Sequence, residues 1–420
     1  MKKPESSIAD PALAELGRAR IAWAQTQMPV LGSVRDRFVE QQPLAGIRIA
    51  ACLHVTAETA NLMITLAAGG AELSLAAANP FSTQDEVAAA LVADHAICVR
   101  AVRGESPADR ELNIDALVAA KPQITLDDGA DLLALMHAEG SADGLLGATE
   151  ETTTGLVRIR ALEAAGGLRC PVIAVNEART ERAFNDRYGT GQSALDGILR
   201  ATNILLAGQT VVVIGYGWAG KGVALRAAGA GATVIVCEVD PLRALEARMD
   251  GFEVLPSVEA AAKGDLFITV TGGVAALTAV HFEVMKSGAI LANAGHFDVE
   301  IDLQELARVG GEPVEVRPLV SRFKVADRAI DLVAGGRVVN LAAAEGHPAA
   351  VMDMSFATQA LAVAEIARAG SDAKPSVRAV ASAIDDEVAR LKLESMGVRI
   401  DVLTERQSAY LHSWHPSSDS

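Results

Sequence analysis

At 420 residues, half of them apolar, the chain is long enough for two or three domains of roughly 150 residues each. Its net charge of −16 comes with scattered lysines and arginines, so there is no basic stripe for a phosphate backbone and nucleic acid is not expected as a partner. No apolar run approaches the roughly 20 residues of a membrane helix, and the start MKKPESSIAD has two lysines but no apolar segment behind them, so neither a membrane span nor a secretory signal is expected. Cys52, Cys98, Cys170 and Cys237 lie far apart, in or near apolar runs. That spacing fits neither a metal site nor a disulfide framework; it suits buried free thiols in a reducing cytoplasm, and no metal is expected.

Residues 8–40 place Leu13, Ile21, Trp23, Leu31, Val34 and Phe38 at helical spacing, and Pro29 divides them into two helices. Residues 46–52 read as a strand. Residues 55–68 read as a helix that starts at Thr56 and is closed by Gly69-Gly70, followed by a strand at 71–76. The rhythm continues with a strand at 96–102, a helix at 113–119, a strand at 123–126, a helix at 132–138 and a strand at 171–175. Strands alternating with helices over short links build a mostly parallel sheet covered on both faces. His54, Asn79, Asp128 and Asn176 fall at strand C-termini, the crevice positions where such sheets bind ligands.

A connecting helix is expected over 187–206. The next stretch, TVVVIGYGWAGKGVALRAAGAGATVIVCEVD, is a βαβ unit with a dinucleotide fingerprint at its first turn. Gly215 permits the tight turn, Gly217 lets a pyrophosphate approach the backbone, and Gly220 lets helix pack on strand. The free N–H groups of the helix start face the phosphates. Glu238 ends the second strand, where an acid takes ribose hydroxyls and disfavours a 2′-phosphate, so the cofactor read from these residues is NAD. Further strands are expected near 266–270, 289–292, 315–318, 329–333 and 338–341. Residues 348–370 form a helix that returns to the first domain, 371–396 carry a polar helix, and the tail ends in disorder-prone residues. The expected architecture is α/β, with two doubly wound, Rossmann-like domains and a helical return. Residues 1–186 with 347–396 would make one domain, 187–346 the NAD-binding domain and 397–420 the tail.

Four clusters carry candidate chemistry: His54-Val55-Thr56-Ala57-Glu58 after a strand, Glu150-Glu151-Thr152-Thr153-Thr154-Gly155, Asn293-Ala294-Gly295-His296-Phe297-Asp298, and Asn340 to Pro348. A histidine beside acids at a strand end is suited to acid–base work. Together with NPFSTQDEVAAAL, DDGADLL, YGTGQSALDGILRATN and VVNLAAAEGHPAAVMDMSF, these runs make the chain resemble the S-adenosyl-L-homocysteine hydrolase family along almost its whole length, nearest to the short-tailed branch of archaea and thermophilic bacteria.

The resemblance implies a resident NAD that oxidises the sugar 3′ carbon. The 4′ hydrogen is then acidic enough to be removed, and the 5′ substituent leaves; water adds and the sugar is reduced again. It implies that His54, Asp128 and Glu151 line the 5′ side and do acid–base work, with His296 at the sugar. Thr56 and Glu58 would meet the purine, and His347 would close over the nucleoside. NAD would meet Thr152, Thr153, Thr154, Gly217, Glu238, Asn293 and Asn340. A homo-oligomer, tetramer or dimer, is expected on the same ground.

One run departs from the family. Where relatives carry a lysine this chain has Glu181, and where they carry Asp-Asn it has Asn185-Asp186. That lysine and aspartate hold the ribose hydroxyls in the family, so replacing the lysine by Glu181 reverses a charge at the developing alkoxide. Arg179 and Arg182 do not share the helical face of position 181. Since a carboxylate accepts hydrogen bonds and a lysine cannot, Glu181, Asn185 and Asp186 are read as a changed sugar site. The expectation is a nucleoside dehydratase that stops at an unsaturated sugar. The alternatives are hydrolysis of S-adenosyl-L-homocysteine itself, and a catalytically dead NAD-binding regulator.

Overall fold

The computed structural model describes residues 5–412. Residues 413–420, the end of the tail expected to be disorder-prone, lie outside the described residues, as do residues 1–4. Two sheets organise the chain. The first has seven strands, all parallel, in the order Ser376–Ala379, Pro171–Ala174, Gly147–Glu150, Ile124–Asp127, Arg48–Leu53, Glu72–Ala77, Cys98–Arg100. The second has eight, in the order Val314–Arg317, Val320–Val325, Arg328–Val333, Ala289–Asn293, Leu266–Thr269, Thr210–Ile214, Thr233–Cys237, Glu253–Val254. In each sheet the first strand has the second on one side and the fourth on the other. Winding therefore reverses beside Arg48–Leu53 in one sheet and beside Thr210–Ile214 in the other. Those strands are near-continuous runs of apolar side chains, as burial on both faces requires: Val211, Val212 and Val213 are wholly buried.

The sequence left the first sheet two strands short, missing Gly147–Glu150 in its middle and Ser376–Ala379 at its edge. Ser376–Ala379 pairs in parallel with Pro171–Ala174 at its edge, so the returning segment supplies a strand as well as a helix. Two readings in the second half also change. Residues 338–341 are not a strand: Val338 makes one bridge to Asn293 and the chain then turns into a single helical turn, Val339–Ala342. Alternating Val320–Val325, missed in the sequence, is an antiparallel strand between Val314–Arg317 and Arg328–Val333.

The returning helix Ala349–Ala369 has 21 residues and is apolar enough to span a membrane by length and composition, contrary to the sequence expectation, but 72% of its most apolar window is buried inside the fold. Its polar groups explain that placement. Asp353, wholly buried, accepts the Leu31 N–H at 2.8 Å and the Lys392 ammonium at 2.9 Å, tying this helix to Pro29–Gln41 and Ser382–Ser395. Gln359 donates to the Thr149 hydroxyl at 3.2 Å. Met354, Phe356, Leu361 and Val363 join the apolar core of the first sheet.

The expected connecting helix is two pieces: a π-helix, Glu181–Thr190, running into an α-helix, Gly191–Thr202. These cross Trp218–Gly229 without side chains between them. A Cβ on Gly222 would lie 1.7 Å from the Arg187 carbonyl oxygen, and one on Gly191 would lie 2.6 Å from the Gly222 carbonyl carbon. Backbone contact at that crossing seats Glu181–Thr190 against the helix that starts at the fingerprint. Because backbone cannot move aside cheaply, Gly222→Ala is expected to lower the unfolding free energy by about 1–3 kcal/mol, read as a reduced thermal midpoint.

Candidate active site

The C-terminal edges of both sheets open onto one cavity of ≈ 260 Å³. His54 and Asp128 follow the two strands that flank the reversal point of the first sheet, Arg48–Leu53 and Ile124–Asp127. Their neighbouring register brings His54 Nε2 to 3.1 Å from Asp128 Oδ2. The second sheet supplies His296, whose Nδ1 lies 3.7 Å from the other oxygen, Asp128 Oδ1. Gly129 leaves room for that approach: a Cβ there would meet His296 Nε2 at 3.2 Å.

Hydrogen bonding locates a proton. The Ser82 hydroxyl donates to the Asn79 carbonyl at 2.8 Å, so it accepts from His54 Nδ1, also at 2.8 Å. With Nδ1 carrying hydrogen, Nε2 and the Asp128 oxygen are both acceptors unless one proton lies between them. A proton on Nε2 would bridge the two. Burial lowers the His54 pKa and the charge of Asp128 opposes that.

Glu151 follows the strand Gly147–Glu150, next to Glu150. Burial pushes both carboxyls well above the usual range, helped for Glu151 by Glu181 and for Glu150 by Asp127. Glu150 faces inward and was not singled out in the sequence as a positioning residue. Its Oε1 accepts the Gly129 N–H, the Thr152 N–H and the Thr152 hydroxyl, so it holds the Asp128 loop and the threonine loop together. The only sequence signal for it was a second acid next to Glu151. Thr153 donates to Asn176 Oδ1 at 2.9 Å.

Glu181, Asn185 and Asp186 reach the cavity from the π-helix. Asn185 donates its amide to Glu181 Oε1. Burial and then Asp186 push Glu181 up to about 8, and burial pushes Asp186 up to about 7. Among the described residues, no lysine or arginine lines the cavity. Arg179 is turned to Asp386 at 2.6 Å, and Arg182 to Glu177 at 3.2 Å. Burial and the nearby His54 lower His347 to about 4, so it is a neutral imidazole whose Nε2 meets the Thr190 hydroxyl at 3.1 Å. Thr56 caps its helix by accepting the Thr59 N–H, and Glu58 follows it on the cavity wall, its carboxyl raised by burial.

The fingerprint turn has the shape its glycines imply. Gly215 has φ +103°, and a Cβ there would meet the Val270 carbonyl at 2.7 Å. One on Gly220 would lie 2.0 Å from the Gly215 carbonyl, whereas one on Gly217 would meet only Arg243 Nη1 at 3.8 Å. The space over Gly217 is thus open. No side chain caps the helix that begins there, so its N–H groups are free for phosphate. Glu238 lies beside the turn and accepts the Tyr216 N–H at 2.7 Å. Asn340 lines the cavity and has a buried Oδ1 with no partner among the described residues. These features fit a dinucleotide. Asn293 differs from its sequence reading: it is wholly buried, donates to the Gly295, Phe297 and Gly336 carbonyls, and accepts from Thr269 and Gly295. It lies under the cavity wall, with its hydrogen bonds spent on shaping the loop that carries His296.

A dinucleotide turn at one reversal point, facing an acid–base cluster at another, is the layout of a nicotinamide-cofactor enzyme. Comparison with known proteins narrows the class. The family profile described as "S-adenosyl-L-homocysteine hydrolase" matches residues 5–144, and "S-adenosyl-L-homocysteine hydrolase, NAD binding domain" matches residues 186–346. The protein named adenosylhomocysteinase from Aquifex aeolicus is 55% identical over 413 residues, covering 98% of this chain and 99% of that one. Its namesake from Nostoc is 53% identical over 411 residues, covering 97% and 96%. A protein named S-inosyl-L-homocysteine hydrolase from Methanopyrus kandleri is 52% identical over 418 residues, covering 99% and 98%. The chain belongs to the S-adenosyl-L-homocysteine hydrolase family, and its cofactor is NAD. These relatives are all named as hydrolases, so the dehydration expected from Glu181 has no support among them.

The raised carboxyls have a stability consequence. Between their ordinary values of 4.5 and 3.8 and the shifted values of about 8 and about 7, Glu181 and Asp186 bind more protons in the folded chain than in the unfolded one. Stability from them is full at low pH and is lost as pH rises through the shifted values. His347 acts oppositely, but only below its ordinary 6.5. Without ligand, the thermal midpoint is therefore expected to fall between about pH 6.5 and about pH 8.5, with a shallower fall in Glu181→Gln, measured by a calorimetric pH series.

Proposed function

We propose that the protein cleaves the 5′ thioether of an S-nucleosyl-L-homocysteine, releasing the nucleoside and homocysteine. The observation that carries this reading is the shared carboxylate, Asp128, set 3.1 Å from His54 and 3.7 Å from His296 where the two sheets face each other. When bound, NAD supplies reversible oxidation of a sugar hydroxyl. Gly215, Gly217 and Gly220 cradle its pyrophosphate, Glu238 takes the adenosine ribose, and Thr152, Thr153, Thr154 and Asn340 meet the nicotinamide half. Asn293 acts by holding the His296 loop.

The residues around the sugar do the proton work. The His54–Asp128 pair takes up and returns a proton at the 5′ side, and Glu151 assists from the adjoining strand end. His296 orients the sugar from the opposite wall. Thr56 and Glu58 meet the base, and neutral His347 covers the nucleoside without adding charge. Enclosure of these groups keeps bulk water from the oxidised sugar. Relatives are named for both an adenosine and an inosine substrate, and adenosine is the base we favour because most of the named relatives are adenosylhomocysteinases. Four buried, widely spaced cysteines suit a cytoplasmic setting.

One observation favours a second reading, loss of water from a nucleoside to leave an unsaturated sugar: the cavity holds Glu181 and Asn185 and no cation. Purified protein loaded with NAD is expected to release homocysteine thiol from S-adenosyl-L-homocysteine, with a smaller release from the inosyl analogue. Asp128→Asn should lower the rate by about 100-fold or more. Absence of thiol together with loss of water from a nucleoside, seen by mass spectrometry, would replace the first reading by the second.

A further inference from the structure

Four side-chain oxygens of the cavity residues are buried with no partner among the described residues: Asn340 Oδ1, on the cofactor side, and Glu181 Oε2, Asn185 Oδ1 and Glu151 Oε1. Glu181 and Asn185 are 3% and 6% exposed, so water reaches them poorly. Their remaining polar atoms are engaged with each other, through the Asn185 amide and Glu181 Oε1. Glu151 has its second oxygen at 3.3 Å from the donating Ser355 hydroxyl. The place is packed closely around them: a Cβ on Gly189 would meet Asn185 Oδ1 at 2.9 Å and the His347 ring at 3.2 Å.

Buried acceptors without donors are costly, and the Ser355 hydroxyl is the donor found beside these carboxyls among the described residues. Among the described residues the cavity is lined by Glu58, Asp128, Glu151, Glu181, Asp186 and Glu345 and by no lysine or arginine. On the same segment the guanidinium groups of Arg179 and Arg182 pair with Asp386 and Glu177, and that of Arg187 lies over the Tyr188 ring. Asn185 Oδ1, and Glu181 Oε2 once Glu181 has lost its proton, are acceptors whose hydrogens an occupant can bring. An amine presents several hydrogens from one atom and, protonated, also neutralises a carboxylate. Glu181 is kept protonated near neutrality by burial, and a cation beside it would release that proton.

We propose that Glu181 and Asn185 form a donor-reading subsite that selects nucleosides whose sugar carries an amino group. This rests on the reading that the cavity takes a nucleoside. It adds a ligand class, the aminosugar nucleosides, and names the two side chains that discriminate it.

The test is equilibrium binding by titration calorimetry to the full chain loaded with NAD. The ligands are adenosine, 2′-deoxyadenosine, 3′-deoxyadenosine and the corresponding 2′-amino and 3′-amino compounds. At least one amino compound is expected to bind about tenfold or more tightly than its deoxy counterpart, and no more weakly than adenosine. Glu181→Gln, close in shape, should shrink that preference severalfold, and Glu181→Lys should abolish or invert it. Asn185→Asp, which adds an acceptor charge, should preserve or strengthen it, and serves if the lysine variant does not fold. If adenosine binds and no amino compound gains over its deoxy partner, or if Glu181→Gln keeps the full preference, this inference is overturned while the proposed function stands. If no nucleoside binds, both fall.

Discussion

Asp128 is the point on which the two halves depend. It ends a central strand of one sheet, and its two oxygens face histidines from different sheets, His54 at 3.1 Å and His296 at 3.7 Å. A carboxylate between two imidazoles carries protons only if both rings stay in register. The surrounding groups serve that register. Ser82 and Asn79 fix the His54 ring, Glu150 holds the backbone of Gly129, and Asn293 ties down the loop that presents His296. Hydrogen bonds whose partners are rigid cost little to maintain during reaction, and Ser82, Glu150 and Asn293 are buried.

Much of this was legible in the sequence because its signals are local. The fingerprint glycines announce themselves by spacing, and Gly215 at φ +103° and Gly220 at backbone contact bear out the conformations their spacing demands. His54, Asn79, Asp128 and Asn176 were placed at strand ends by periodicity alone, and the sheet register brings His54 and Asp128 together. What was not legible depends on distance in the chain. Glu150 looked like a neighbour of Glu151, and nothing local says it turns to bond Gly129. The edge strand Ser376–Ala379 is only four residues long, and its pairing partner lies some two hundred residues earlier. Val338-Val339 has strand-like residues, but the single bridge to Asn293 is all the pairing that the turn allows.

Glu181 shows where charge arithmetic on a sequence goes astray. On paper, an acid in place of a lysine reverses the field at the sugar. In the fold, burial and Asp186 hold that acid protonated up to about 8, so near neutrality the change is closer to the loss of a positive charge than to a full reversal. That softens the argument for abandoning hydrolysis and fits the hydrolase names of the relatives. The absence of any cation from the cavity wall stands regardless and is what a ligand must answer.

The returning helix has one more effect. Ala349–Ala369 fills the apolar centre of the first sheet, and Ser376–Ala379 closes that sheet's edge. A ribosome has by then already released the whole of the second sheet. The earlier-made half must therefore wait, with its centre unfilled, until the later-made half has left the exit tunnel, so the order of maturation runs opposite to the order of translation.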